Sequence, residues 1–170
     1  QADLIRGNSA ANRIEGGGGN DVLYGSSGDD TLFGGEGDDW VYGTSGDDTI
    51  MDLRGIKKIY ANAGDDTLIK TGDGVGTLQG GAGYDTISYI AHTPPGFGNH
   101  SGVMVDLSEN LGMNGKGIDT ISEFEHLIGS PFDDLLTGDP NAANQIDGGI
   151  GDDEISADRN DTVDGGLGIN

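Results

Sequence analysis

The residues best suited to chemistry in this chain are aspartates that recur every nine positions, each two places after a glycine. The clearest copies read GGGGNDVLY (16–24), GSSGDDTLF (25–33), GGEGDDWVY (34–42) and GTSGDDTIM (43–51). On a nine-residue ruler they place glycine at position 4, a carboxylate at position 6 and an aliphatic residue at position 8. Carboxylates and main-chain carbonyls are hard oxygen donors, the set that surrounds a hard divalent cation. Glycine early in the unit permits positive φ and close backbone approach, which suits a tight turn whose carbonyls converge on one spot.

Such turns need a scaffold. A unit this short cannot bury a face alone, so each copy must stack on another. Position 8 supplies one inward side chain on a short strand, with positions 7 and 9 pointing outward. In register, the run starts at GNSAANRIE (7–15) and passes through the four clear copies. It continues through DLRGIKKIY (52–60), ANAGDDTLI (61–69), TGDGVGTLQ (71–79) and GGAGYDTIS (80–88), with Lys70 as a one-residue insertion. Position 8 reads Ile14, Leu23, Leu32, Val41, Ile50, Ile59, Leu68, Leu78 and Ile87, an unbroken aliphatic column. Position 6 reads Asn12, Asp21, Asp30, Asp39, Asp48, Lys57, Asp66, Gly76 and Asp85, so the degenerate copies keep their core residue and lose only a ligand.

Thirty acidic residues against eight basic ones leave a formal charge of −22 over 170 residues. That balance argues against nucleic acid or an anionic membrane as a partner. Low hydrophobicity combined with high charge favours disorder. About ten divalent cations would neutralise the excess and cross-link a chain whose core is thin. There is no cysteine, hence neither a disulfide framework nor a thiolate metal site. No apolar run approaches the roughly 18 residues of a membrane-spanning helix, so no transmembrane segment is expected. The ends QADLIRGN and GGLGIN read as those of a piece cut from a longer protein.

The pattern GGxGxDxUx resembles the calcium-binding nonapeptide of RTX toxins and related type I secreted proteins, and the resemblance covers most of residues 7–170. It implies an all-β chain folded as a right-handed parallel β-roll, a β-helix-like solenoid in which two repeats make one coil. Each calcium ion would sit between one turn and the turn two repeats later. Carried onto this sequence, that rule puts Asn12, Asp30, Asp48, Asp66 and Asp85 on one edge, and Asp21, Asp39, Lys57 and Gly76 on the other. Several ions are implied, at Asp30/Asp48, Asp48/Asp66 and Asp66/Asp85, with a weaker site at Asn12/Asp30 and one on the second edge at Asp21/Asp39. The framing glycines are Gly17, Gly19, Gly28, Gly35, Gly37, Gly46, Gly64 and Gly83. Lys57 stands where a ligand belongs, and its ammonium group is expected to replace an ion beside Asp39.

Three segments follow. Residues 1–90 form a first repeat block, 91–128 an irregular connecting or capping segment with a strand at VMVDL (103–107), and 129–170 a second block that is cut short. The second block pairs Asp134 with Asp153, framed by Gly149 and Gly151, and Asn144 with Glu125 or Asp161.

His92, His100 and His126 share no ligand spacing, and no serine sits in GxSxG, so the chain nominates no active site and is expected not to be an enzyme. DTVDGG (161–166) faintly suggests an EF-hand but lacks the bidentate glutamate and the flanking helices. Tyr24, Tyr42 and Tyr60 recur one coil apart at outward position 9, with Trp40 nearby. Such a stripe could stack on sugar rings, dock a partner, or brace neighbouring coils. The resemblance further implies a secreted module that folds on calcium outside the cell and supports type I export of its parent protein. The alternative is an adhesive or carbohydrate-binding segment with a glycan or cell-surface partner.

Overall fold

A computed structural model describes residues 1–52, 55, 57–71, 74–93, 102–115 and 117–169; His100 lies outside them. The three-residue alternation around position 8 gives short strands that fall alternately on two sheets. One sheet takes β1 (Leu4–Arg6), β3 (Val22–Ser27), β5 (Asp39–Ser45), β7 (Lys57–Ala63) and β9 (Gly76–Ala82). The other takes β2 (Arg13–Glu15), β4 (Thr31–Phe33), β6 (Thr49–Asp52), β8 (Thr67–Lys70) and β10 (Thr86–Ser88). All these neighbours are parallel, and residues 18 apart face each other until the Lys70 insertion. The chain is thus a parallel β-solenoid, and no helix occurs among the described residues.

The aliphatic column forms the core between the sheets. Leu23, Val41, Ile59 and Leu78 are in register on one side, and Ile14, Leu32, Ile50, Leu68 and Ile87 on the other, all of them buried. One aliphatic side chain per strand builds this column, joined in β7 by Ala61 beside Ile59, so it is a single file with little apolar depth.

Both sheets continue through the region where the nine-residue period is lost. The segment supplies β11 (Met104–Asp106), β12 (Leu111–Met113), β13 (Ile118–Ser122) and β14 (His126–Ile128), whereas its sequence signalled one strand. On one side β13 pairs in parallel with β9, and β12 and β11 follow as an antiparallel meander. β15 (Leu135–Thr137) and β17 (Glu154–Ser156) then resume the parallel stack. On the other side β10 passes directly to β14, then to β16 (Gln145–Asp147) and β18 (Thr162–Asp164). Ile121, Leu127, Val105, Leu136 and Ile146 carry the buried column onward. Gly112 lies where a Cβ would strike the buried Tyr89 hydroxyl, which keeps β12 close to the core.

With Ile50 and Ile87 on either side of it in the column, Leu68→Ala should cost about 2–5 kcal/mol. The outward neighbour Thr67→Ala should change stability by no more than about 0.5 kcal/mol. Urea denaturation at one fixed calcium concentration measures both, and equal costs would contradict the single-file core.

Candidate metal centre

The position-6 aspartates sit at the junction of turn and strand, and the solenoid buries them. Asp21, Asp30, Asp39, Asp48, Asp66 and Asp85 are each at most 1% exposed. In every case Oδ1 accepts the main-chain N–H of the residue one coil earlier. Asp3, Asn12 and Asp21 donate to Asp21, Asp30 and Asp39 at 2.7, 2.7 and 2.8 Å. Asp30, Asp48 and Asp66 donate to Asp48, Asp66 and Asp85 at 2.8, 2.7 and 2.9 Å. The structure therefore brings together Asn12/Asp30, Asp30/Asp48, Asp48/Asp66, Asp66/Asp85 and Asp21/Asp39.

The second oxygens differ. Oδ2 of Asp21, Asp30, Asp48, Asp66 and Asp85 is buried with no hydrogen-bond partner in the protein. Oδ2 of Asp39 does have one, the ammonium of Lys57 directly across the ladder. The same Nζ donates to Gly35 O and Gly37 O, both at 2.8 Å. A single buried cation thus marks out the cradle that each turn offers, namely two carbonyls and one carboxylate oxygen. This arrangement fits a hard cation, whose ligands are oxygens. Among the described residues no three His, Cys, Asp or Glu side chains converge as a metal cluster, since the turns contribute carbonyls in their place.

Gly35 and Gly37, at φ 97° and 118°, occupy left-handed backbone that glycine adopts without strain, and it is this conformation that presents their carbonyls. A Cβ on either would also strike the carbonyl of Gly17 or Gly19 one coil earlier. Gly46, Gly64 and Gly83 stack in the same way on the carbonyls of Gly28, Gly46 and Gly64. On the next block Gly149 and Gly151 abut the backbone of Ser130 and Phe132.

In the second block Asp134 donates its N–H to Asp153 Oδ1 at 3.0 Å, as the ladder requires. Its own carboxylate is better satisfied than those of the first block. Val103 N–H and the Ser130 hydroxyl donate to Oδ1 at 2.6 and 2.7 Å, and Ser130 N–H donates to Oδ2 at 2.6 Å. Asn144 accepts from Asp139 N–H at 2.7 Å and donates its own N–H to Asp161 at 2.9 Å, while Gln145 N–H reaches Glu125 O at 2.8 Å. Both partners considered for Asn144 are therefore its neighbours, one on each side.

Two ladder members lie beyond the aspartates assigned from sequence. Asp3 opens the second edge, and extending the ruler one copy back, with Asp3 at position 6 and Ile5 at position 8, would have found it. Glu125, considered from sequence only as a partner of Asn144, also accepts the N–H of Asp85 at 2.8 Å. Lys70, also buried, donates to Gly74 O at 2.7 Å and so supplies a second internal cation to the ligand-poor coil.

The tyrosine stripe is a stack. Tyr24 and Tyr42 lie 4.8 Å apart and 7° from parallel, and Tyr42 and Tyr60 5.4 Å apart and 12° from parallel. Arg6 covers the far face of Tyr24 at 4.3 Å, and Lys58 covers Trp40 at 4.3 Å. Both faces of Tyr42 are thereby occupied, which favours bracing of coils over sugar stacking.

Burial pushes the carboxyls of Asp48, Asp66 and Asp85 up to about 6, and neighbouring carboxylates push in the same direction. Burial likewise raises Asp134 and Asp153. A folded-state value above the unfolded one near 3.8 means that the calcium-free roll takes up protons on folding. The contribution of Asp48, Asp66 and Asp85 to stability is therefore fully present below about pH 4 and is lost as pH rises through about 6. In chelator, β signal by circular dichroism should be gained as pH is lowered from 7 toward 4; a flat or falling profile contradicts the burial of ionised aspartates.

Lys57→Ala leaves the inner oxygen of Asp39 buried without its cation and should cost about 3–5 kcal/mol. Lys57→Asp converts this position to the ladder type and should bind one calcium more than the wild type by native mass spectrometry. An unchanged count would show that the cradle around Asp39 is not of the ion-holding kind.

The RTX calcium-binding nonapeptide repeat family matches the chain in four copies, over residues 1–32, 24–55, 42–69 and 71–88. A search of curated proteins finds no match. Together with the parallel solenoid and its glycine-framed, carboxylate-lined turns, the repeat match establishes that this chain belongs to the RTX family and is a calcium-binding module.

Proposed function

We propose that this chain is a non-catalytic calcium-responsive folding module of a secreted protein, exported through a type I channel and folded outside the cell. The observation that supports it is the set of five buried aspartate oxygens without protein partners, beside a sixth whose cradle is filled by a lysine ammonium. Calcium supplies a divalent charge that several oxygens can share. The residues holding it are the turn carbonyls and position-6 carboxylates, continuous along Asp30, Asp48, Asp66 and Asp85 and separately at Asp21/Asp39 and Asp134/Asp153.

Without a cation the clustered carboxylates repel one another, and the single-file core cannot offset the entropy of ordering the chain. Extracellular modules of this kind bind at about 10⁻⁴ to 10⁻³ M, so they fill outside the cell and stay empty in a low-calcium cytosol. Export in an unfolded state and folding on the far side follow from that difference. A role in adhesion or glycan binding has less support, because both faces of Tyr24 and Tyr42 are covered.

Circular dichroism during a calcium titration should show a cooperative gain of β signal, reversed by chelator, with its midpoint in the range of about 0.1–1 mM. A spectrum and melting temperature insensitive to calcium would remove this reading.

A further inference from the structure

The edge that runs from Asn12 to Asp85 is continued by a turn that the repeat pattern does not supply. Ser122 lies opposite Gln79 and His126 opposite Thr86, which sets Glu123 beside Gly80 and Glu125 beside Asp85. A repeat turn has four residues between those two positions (81–84), and here Phe124 alone spans them. The short turn still reproduces the ladder. Glu123, at φ 60°, puts its carbonyl over Gly80 as Gly43 does over Gly25. Glu125, one methylene longer than aspartate, brings Oε2 within 2.8 Å of the Asp85 N–H.

The turn on the other side has the features of the one that holds Lys57. Gly81 and Gly83 are in left-handed backbone at φ 128° and 149°, in the places of Gly35 and Gly37. Asp85 is 0% exposed, and its Oδ2 has no partner in the protein. In the earlier turn the same three groups bind a buried ammonium carried by position 6 of the next coil. Here position 6 of the next coil carries a carboxylate instead.

We propose that Asp85 and Glu125, with the carbonyls of Gly81 and Gly83, form a calcium site that joins the first repeat block to the non-repeat segment, so that calcium fastens residues 118–128 onto the roll. This rests on the calcium-dependent folding described above and adds a site whose second carboxylate is 40 residues away in sequence, where the repeats place theirs 18 or 19 away.

The test counts ions and follows amide exchange in the full chain. Glu125→Gln keeps an acceptor for the Asp85 N–H and removes the charge. At saturating calcium it should bind one ion fewer than wild type by native mass spectrometry, and amides 118–128 should lose protection while amides 22–69 keep theirs. The same ion count with unchanged protection overturns the proposal. If the variant does not fold, the wild-type chain decides: amides 118–128 must gain protection in the same calcium step as amides 86–88, and protection already present in chelator overturns the proposal. Wild type that binds no calcium at all would instead defeat the underlying reading of the module.

Discussion

A carboxylate removed from water needs a partner for each oxygen, or it shifts toward its neutral form. In this chain the backbone meets half of that need. One oxygen of each position-6 aspartate accepts an N–H from the coil before, and that bond sets the register of the stack. The other oxygen of Asp21, Asp30, Asp48, Asp66 and Asp85 is buried with no protein partner. Such a structure is complete only with cations, and among the described residues Lys57 and Lys70 supply buried ones covalently.

The thin core and the acidic edge are two sides of one compromise. A three-residue strand can bury only one side chain, so a longer solenoid gains apolar area in proportion to coil number and no faster. Glycine turns add nothing to that area. What they contribute is close approach, with carbonyls stacked tightly enough that a Cβ at Gly35 or Gly37 would strike the coil below. Apolar packing aligns the coils, and charge neutralisation decides whether alignment persists.

Much of this was legible in the sequence because the period is strict. Position 8 marked the buried column of the first block directly, since it is buried in every copy from Ile14 to Ile87. The alternation of edges brought Asp30 to Asp48 and Asp39 to Lys57, and a basic residue at a ligand position was enough to foresee its contact with Asp39. Where the period lapses, so does the reading. The hairpin of β11 and β12 has no ruler, and Glu125 neighbours Asp85 only through register set 40 residues away. The satisfaction of Asp134 by Ser130 is a matter of turn conformation that residue types do not encode. For Tyr24, Tyr42 and Tyr60 the spacing was equally consistent with a binding stripe and a brace. Ring orientation, absent from the sequence, distinguishes them.

Lys57 differs from an ion in one respect that concerns mass action. The stabilisation a free ligand gives grows with its concentration relative to its dissociation constant and vanishes on dilution. A tethered ammonium has no such dependence, because its concentration at Asp39 is fixed by the chain itself. As external calcium falls, the ion-held cradles lose their cations, whereas the Asp39 cradle carries its own within the chain. Charge neutralisation at Asp39 is therefore independent of the calcium concentration that governs the other cradles.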